Sequence, residues 1–296
     1  MSLRASRTHW QALWAGMVAA SLWGGLYPVS KAVMEAVPPL VLLAVRLFWG
    51  AALLCPFVWR QGGMRWPRRA WRLALAVGAL GFGLALSLQF VGTHWSTASN
   101  GALVTATTPA FVVLFGAWIL HERLTRRQVL ALVLATIGVL IVIDPRSASL
   151  DRFFFGNLAL VAAALGWALY SVLIRWLTRA WDTLRVSVAA MLGGLIVAFP
   201  GALFQLPQVR WESISWQVGL GVLYVVVFAT AIAMFLWNYA FAHLRSSTAA
   251  LTFFAQPLIG TIVGVWWLGE SLRWGFLLGG ALIAVGLYLA ALDSPS

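Results

Sequence analysis

Charged side chains are scarce in this 296-residue chain, and acidic ones are the scarcest. Only 9% of the residues are charged and eight are acidic, whereas 62% are hydrophobic. A water-soluble domain of this length needs a charged and polar surface, which this composition does not supply. The shortage excludes a soluble protein and predicts that almost the whole chain lies in lipid.

Cysteine is nearly absent as well. Cys55 is the only one, which excludes an intramolecular disulfide and a cysteine-based metal cluster. The sequence also lacks HExxH and CxxC motifs and a pattern of paired carboxylates. We therefore predict a protein without catalytic residues, metal or cofactor. A membrane-embedded enzyme that modifies lipid is the alternative from another functional class.

Basic residues are more numerous and give a formal net charge of +12 at pH 7. In a soluble protein this excess would suggest nucleic acid, but in a membrane protein it follows from the retention of arginine and lysine in cytoplasmic loops. We therefore predict no nucleic-acid partner. With the amino terminus inside, most basic residues fall in cytoplasmic loops, so both termini are predicted to be cytoplasmic.

Ten apolar runs are long enough to cross a bilayer, which takes about 20 residues of helix. Their limits are residues 10–30, 38–59, 71–91, 98–120, 127–143, 155–177, 184–206, 217–241, 248–268 and 273–292. The connections between them are too short for a separate soluble domain. The sequence predicts one compact, all-α integral membrane bundle that contacts lipid.

The two halves of the chain resemble each other. Residues 98–141 align with residues 246–289 without a gap, and a weaker match relates residues 22–29 to residues 165–172. The identical pairs include Pro109 with Pro257, Gly116 with Gly264, Glu122 with Glu270, and Tyr27 with Tyr170. Five helices per half is an odd number, so the second copy enters the membrane from the opposite side. We predict two inverted five-helix repeats, residues 1–148 and 149–296, around a central cavity.

These features resemble the EamA family of the drug/metabolite transporter superfamily. The resemblance is carried by the ten spans, the duplication, the junctions at residues 120–124 and 268–272, and a proline in the fourth span of each half. Length and aromatic content are similar to those of bacterial exporters of aromatic amino acids and methionine. The resemblance implies a bacterial inner-membrane transporter, with helices 1 to 4 and 6 to 9 around the cavity and helices 5 and 10 outside.

Polar and kinked positions inside the spans are candidates for the substrate site. Pro109 and Pro257 each remove a backbone hydrogen bond, a defect that persists in lipid where a cavity, water or a neighbouring helix satisfies it. Buried hydroxyl and amide groups need partners for the same reason. The candidate substrate-binding residues are Tyr27, Gln89, Asn100, Thr107, Thr108, Trp167, Tyr170, Asn238, Tyr239 and Gln256. Ordinary helix packing is the alternative for each of them.

Arg46 is the one charge inside a predicted span, and it either pairs with helix carbonyls or attracts a substrate carboxylate. The acidic residues all fall in loops or at helix ends, which leaves no midplane carboxylate for proton coupling. Glu122 and Glu270 are expected to cap the helices that follow them. We expect a monomer that exports neutral, aromatic or sulphur-containing amino acids by uncoupled alternating access. A broader metabolite or drug exporter with proton coupling and a passive channel are the alternatives.

Overall fold

A computed structural model describes residues 3–63, 65–96, 104–105, 107–123, 125–143 and 152–256, and also residues 259, 274, 277–279, 281–282 and 285. All regular secondary structure in this part of the chain is helical. In chain order the helices are α1 (Arg7–Val33), α2 (Pro39–Arg60), α3 (Arg68–Trp95), α4 (Thr108–Leu120), α5 (Arg126–Ile143), α6 (Phe154–Thr178), α7 (Thr183–Gln208), α8 (Trp216–His243) and α9 (Ser246–Leu251).

Six of these helices, α1, α2, α3, α6, α7 and α8, are long and apolar enough to cross a membrane within the described residues. They coincide with the first, second, third, sixth, seventh and eighth predicted spans. Helix α4 covers the second half of the fourth predicted span, α5 matches the fifth, and α9 begins the ninth. The rest of the ninth span and most of the tenth lie outside the described residues.

Local sequence explains where several of these helices begin and end. Helix α2 starts at Pro39, a first-turn position where the missing N–H of proline costs nothing. It stops before Gly62 and Gly63, whose positive φ angles of 96° and 78° favour glycine over other residues. Helix α7 is capped by Asp182, whose carboxylate accepts a hydrogen bond from the backbone N–H of Arg185 at 3.0 Å.

The helices before residue 144 interleave with those after residue 152. Helix α1 packs along α8, α2 along α7, and α3 along both α6 and α7, while α4 packs against α6 and α9. Helices α3 and α7 approach each other closely, because a Cβ atom on Gly78 would meet the backbone of Ala190 and one on Gly193 would meet the backbone of Leu75. Small residues permit such contact between membrane helices.

Two of the long helices contain a π-helical segment near the middle, Ala79–Ala85 in α3 and Val227–Ile232 in α8. The two segments begin at the same offset that aligns residues 98–141 with residues 246–289. A π segment widens the helix and disturbs the regular ladder of backbone hydrogen bonds, and such segments are frequent at functional sites. The two segments therefore make the middle of the bundle a candidate location for the functional site.

Candidate functional site

A cavity lies in the middle of the bundle, between residues of α1, α2, α3, α4, α6 and α8 and the turn after α9. About 370 Å³ of space not filled by protein atoms lies in this cavity and its openings.

Six of the residues singled out in the sequence line this cavity: Tyr27, Arg46, Gln89, Thr108, Trp167 and Gln256. Seven further lining residues were not among the candidates from the sequence: Trp23, Leu26, Leu86, Thr105, Ala163, Met234 and Phe253. Trp23 stands four residues before Tyr27 and Met234 four before Asn238, so helical spacing from a candidate was the signal that could have found them.

Tyr27 anchors a hydrogen-bonded group on one side of the cavity. Its hydroxyl lies 2.8 Å from the hydroxyl of Thr105 and accepts a hydrogen bond from Gln89 Nε2 at 2.9 Å. The three residues come from α1, α3 and the segment before α4. Because each polar group satisfies another, the site can hold these side chains in fixed orientations inside an apolar bundle.

Arg46 is fully buried and is held by the π-helical segment of α8. Its Nε donates to the Thr230 hydroxyl at 2.7 Å, and its Nη2 donates to the Ala229 carbonyl at 3.1 Å. The guanidinium carbon lies 5.1 Å from the centre of the Phe90 ring, within the range of a cation–π contact. The indole of Trp23 donates to the same Ala229 carbonyl at 2.9 Å. Arg46 is therefore oriented by the widened turn of α8.

Three of the lining residues carry a buried polar atom without a hydrogen-bond partner among the described residues. These atoms are Nη1 of Arg46, Oγ1 of Thr108 and Oε1 of Gln256. Buried polar groups are rarely left without a partner, because the missing hydrogen bond costs about 1 to 3 kcal/mol. One donor, one acceptor and one hydroxyl that can act as either are thus available to a ligand in this cavity.

Aromatic rings also line the cavity. The ring centroids of Trp23 and Trp167 are 5.4 Å apart in an edge-to-face arrangement, and Phe253 lies 6.1 Å from Trp23. Trp167 is held from behind by a stacked contact with Tyr170 at 4.9 Å. The lining rings offer large, rigid apolar surfaces to an aromatic or thioether side chain.

Tyr170 and Asn238 do not line the cavity, and they form a buried hydrogen-bonded chain beside it. The Tyr170 hydroxyl donates to Asn238 Oδ1 at 3.0 Å, and Asn238 Nδ2 donates to the Ser187 hydroxyl at 2.9 Å. The chain links α6, α8 and α7. The polar groups of both residues are thus used for contacts between helices.

The remaining candidates lie elsewhere or outside the described residues. Thr107 donates its hydroxyl to the Val104 carbonyl at 2.6 Å, and Pro109 is buried in the first turn of α4. The ring of Tyr239 lies 4.2 Å from that of His243 in a tilted arrangement, and Tyr239 does not line the cavity. Asn100 and Pro257 belong to the part of the chain that the structure does not describe.

A polar clasp joins four helices at the end of the bundle where α6 ends. Glu122 accepts from Arg175 Nε at 2.9 Å and from the backbone N–H of Ser246 at 3.2 Å. Arg175 also donates to the carbonyls of Phe241 and Leu244, which end α8. Glu122 thus caps α9, whereas the sequence led us to expect a cap on the helix that follows it.

A lysine occupies the corresponding place at the opposite end. Lys31 Nζ donates to the carbonyls of Thr93, His94 and Ser96 at 2.9, 3.0 and 2.8 Å, where α3 ends. Ser96 also donates to Asn157, near the start of α6, so this end is the far one from Arg175. Lys31 therefore satisfies the last carbonyls of α3 at one end of the bundle, and Arg175 satisfies those of α8 at the other.

A model of the EamA-like transporter family matches the chain twice, over residues 10–144 and 154–292. The chain belongs to this family. The EamA resemblance predicted from the sequence is thereby confirmed, and the protein is a multi-pass membrane protein of a transporter family that handles small molecules.

Individual relatives agree with this assignment. An uncharacterized transporter of Archaeoglobus fulgidus is 24% identical over 271 residues, which cover 90% of this chain and 93% of the relative. A probable amino-acid metabolite efflux pump of Salmonella typhimurium is 26% identical over 279 residues and 90% of each chain. A crystal structure with 23% identity superposes with a TM-score of 0.72 and covers 96% of this chain and 99% of that one. It shares the fold.

Proposed function

We propose that this EamA-family protein exports amino acids through its central cavity by alternating access, with aromatic amino acids and methionine as its main cargo. The observation that carries the proposal is the pairing of three unsatisfied buried polar atoms with a wall of tryptophan and phenylalanine rings in one cavity. An amino acid has polar groups at one end and an apolar side chain at the other, which is the complement of this arrangement.

The proposal includes ten transmembrane helices arranged as two inverted five-helix repeats, residues 1–148 and 149–296. Two family matches in tandem, the common offset of the two π segments, and the cations at the ends of α3 and α8 support it. An inverted repeat builds two equivalent gates on opposite sides of one midplane site, which is what alternating access requires.

We further propose a monomer in the bacterial inner membrane with both termini in the cytoplasm. At the Arg175 end, Arg185 in the first turn of α7 donates to the carbonyls of Gln61 and Gly63, which follow α2. Trp66 and Trp181 also meet there, at 6.2 Å between ring centroids. Because basic residues are retained on the cytoplasmic side, this end is assigned to the cytoplasm.

Export is proposed to be uncoupled from protons. None of the described residues that line the cavity is acidic or a histidine. Glu35, Asp182 and Glu212 are exposed at helix ends or in loops, and Glu122 is engaged in the clasp with Arg175. A proton-driven exporter needs a group that takes up and releases a proton near the cargo, and the described lining residues offer no carboxylate or imidazole for this purpose.

Efflux from liposomes tests the proposal directly. Purified protein is reconstituted, the liposomes are loaded with labelled phenylalanine, methionine or threonine, and release is followed with and without a pH gradient. We expect release of phenylalanine and methionine down their gradients without an imposed pH gradient. Release that requires a proton gradient would favour a coupled metabolite or drug exporter, and no release of any of the three would contradict amino-acid export.

Two cavity variants with matched controls locate the pathway. We expect Trp167→Ala and Gln256→Ala each to lower phenylalanine efflux about tenfold or more. The first removes an aromatic surface that packs against the cargo, and the second removes a polar contact to it. Trp176→Ala, on the exposed side of the same helix α6, and Gln217→Ala, at the exposed start of α8, are the controls. Full activity in both cavity variants at equal protein level would remove the site from the pathway.

A further inference from the structure

We infer that the cavity recognises its cargo by the carboxylate, through Arg46 and Thr108, and that the amino group is a secondary contact made by Gln256. The substrate class is then small carboxylic acids with an apolar side chain, of which amino acids are one case. This inference rests on the proposed function, because it takes the cavity to be the transport site.

The first step is the chemistry of the three unpartnered atoms. Nη1 of Arg46 is a charged donor, the Thr108 hydroxyl can donate, and Oε1 of Gln256 is an acceptor only. A carboxylate accepts hydrogen bonds, so it fits the arginine and the threonine. An ammonium or amine donates them, so it fits the glutamine oxygen. The two ends of an amino-acid backbone are thereby assigned to different residues.

The second step is charge. The guanidinium of Arg46 is fully buried, its two hydrogen-bonded partners are the neutral Thr230 and Ala229, and no acidic residue is among the described residues around the cavity. A buried cation without a counter-charge is costly, and an anionic ligand that hydrogen-bonds to it offsets part of that cost. A ligand amine meets only a neutral amide and ring faces. A ligand that lacks the carboxylate should therefore lose much more binding affinity than a ligand that lacks the amine.

The third step is the fixed position of the guanidinium. Nε and Nη2 are held by the Thr230 hydroxyl and the Ala229 carbonyl, and the same carbonyl is also bound by the indole of Trp23. The π-helical segment of α8 therefore fixes the orientation of Nη1, and the guanidinium cannot move away from the cavity without breaking these hydrogen bonds. A preorganised cation binds a carboxylate with little loss of side-chain entropy.

Competition binding on the purified full-length protein separates these contacts. Labelled phenylalanine is displaced by three compounds of matched size: unlabelled phenylalanine, 3-phenylpropanoate, which lacks the amine, and 2-phenylethylamine, which lacks the carboxylate. We expect 3-phenylpropanoate to bind about tenfold more weakly than phenylalanine, and 2-phenylethylamine about a hundredfold more weakly or not at all, because hydrogen bonds to charged groups contribute about 1.5 to 3 kcal/mol each.

The variants assign each contact to a residue. Gln256→Ala should bring phenylalanine within about twofold of 3-phenylpropanoate, because only the amine loses its partner. Arg46→Met should abolish the preference for either acid over 2-phenylethylamine, whereas Arg46→Lys should keep the preference with weaker binding. Arg60→Met, at the exposed end of the same helix α2, is the matched control and should bind all three as the unaltered protein does.

The outcomes are distinguishable. Equal displacement by phenylalanine and 2-phenylethylamine overturns this inference and leaves amino-acid export standing. A Gln256→Ala protein that still prefers phenylalanine over 3-phenylpropanoate by tenfold overturns the assignment of the amine. Failure of both acids to bind in direct assays with each labelled compound overturns the proposed function together with this inference.

Discussion

Tyr27 and Tyr170 occupy matching positions in the two halves of the chain, yet their hydroxyl groups serve different purposes. The hydroxyl of Tyr27 lies on the cavity, between Gln89 and Thr105, whereas that of Tyr170 is buried against Asn238. The repeat thus preserves the residue and not its role. At the level of single residues, the cavity is asymmetric because its one fully buried arginine among the described residues, Arg46, comes from the first half.

The two tyrosines should respond differently to removal of the hydroxyl. We expect Tyr27→Phe to lower phenylalanine efflux about tenfold, because Gln89 loses a partner inside the site. Tyr170→Phe should chiefly lower the free energy of unfolding, by about 1 to 3 kcal/mol, because the buried Asn238 loses its donor. Efflux from liposomes at matched protein level and thermal unfolding in detergent measure the two effects. The reverse pattern would show that Tyr170 contacts cargo.

Helices α3 and α7 are held together by contact between their backbones. A Cβ atom on Gly193 would lie 2.1 Å from the carbonyl oxygen of Leu75, and backbone cannot move aside as a flexible side chain can. Gly219, in α8, has no atom within 4 Å of the same position. Alanine substitutions at these two glycines therefore separate the effect of a steric clash on the free energy of unfolding from the effect of replacing glycine in a helix.

We expect Gly193→Ala to lower the free energy of unfolding by about 1 to 3 kcal/mol, because α3 and α7 must separate. Gly219→Ala, the matched control, should raise it by up to about 1 kcal/mol, because alanine favours a helix over glycine. Thermal unfolding of both variants in the same detergent makes the comparison. A Gly193→Ala protein as stable as the control would show that the two helices do not require this contact.

Different charged groups tie the helices together at the two ends of the molecule, and we expect these contacts to act as closures of the cavity. At the Arg175 end, Glu122 and Arg175 join α4, α6, α8 and α9, and at the other end Lys31 ties α1 to the end of α3. Helix α6 has 25 residues and is about 37 Å long at 1.5 Å per residue, so the two closures stand on opposite sides of the bilayer core. Loss of either one should open one side of the cavity.

Labelling of a cavity thiol tests this idea at the scale of the whole protein. In a Cys55→Ser background, Met234→Cys places one thiol at the cavity, and a membrane-impermeant maleimide is added to one side of oriented vesicles. We expect Glu122→Gln to accelerate labelling from the arginine-rich side about tenfold, and Lys31→Gln to accelerate it from the other side, because each removes charge-assisted hydrogen bonds from one closure only.

Asp182→Asn is the matched control for Glu122→Gln, since Asp182 is an acidic residue at the same end that caps α7 and takes no part in the clasp. It should leave the labelling rate unchanged. Acceleration from both sides by a single variant would argue against two separate gates, and acceleration by neither variant would argue that the closures do not control access.

Much of this protein follows from its sequence because lipid leaves the backbone little choice. An apolar run of about 20 residues must satisfy its own hydrogen bonds, so it forms a helix wherever it lies, and the six long helices coincide with predicted spans. The composition likewise excludes a soluble fold, and the repeated residues around Pro109 and Glu122 point to the family. These conclusions need only local chemistry and spacing.

Tertiary structure alone decided which polar groups face the cavity. Gln256 and Asn238 look alike in a sequence, because each is an amide that needs partners. The packing of α6, α7 and α8 supplies partners to both Tyr170 and Asn238, whereas Oε1 of Gln256 has none among the described residues. The position of Arg46 depends on the π-helical turn at Ala229, and Glu122 caps a helix 124 residues away. Such pairings join distant parts of the chain, so no local pattern determines them.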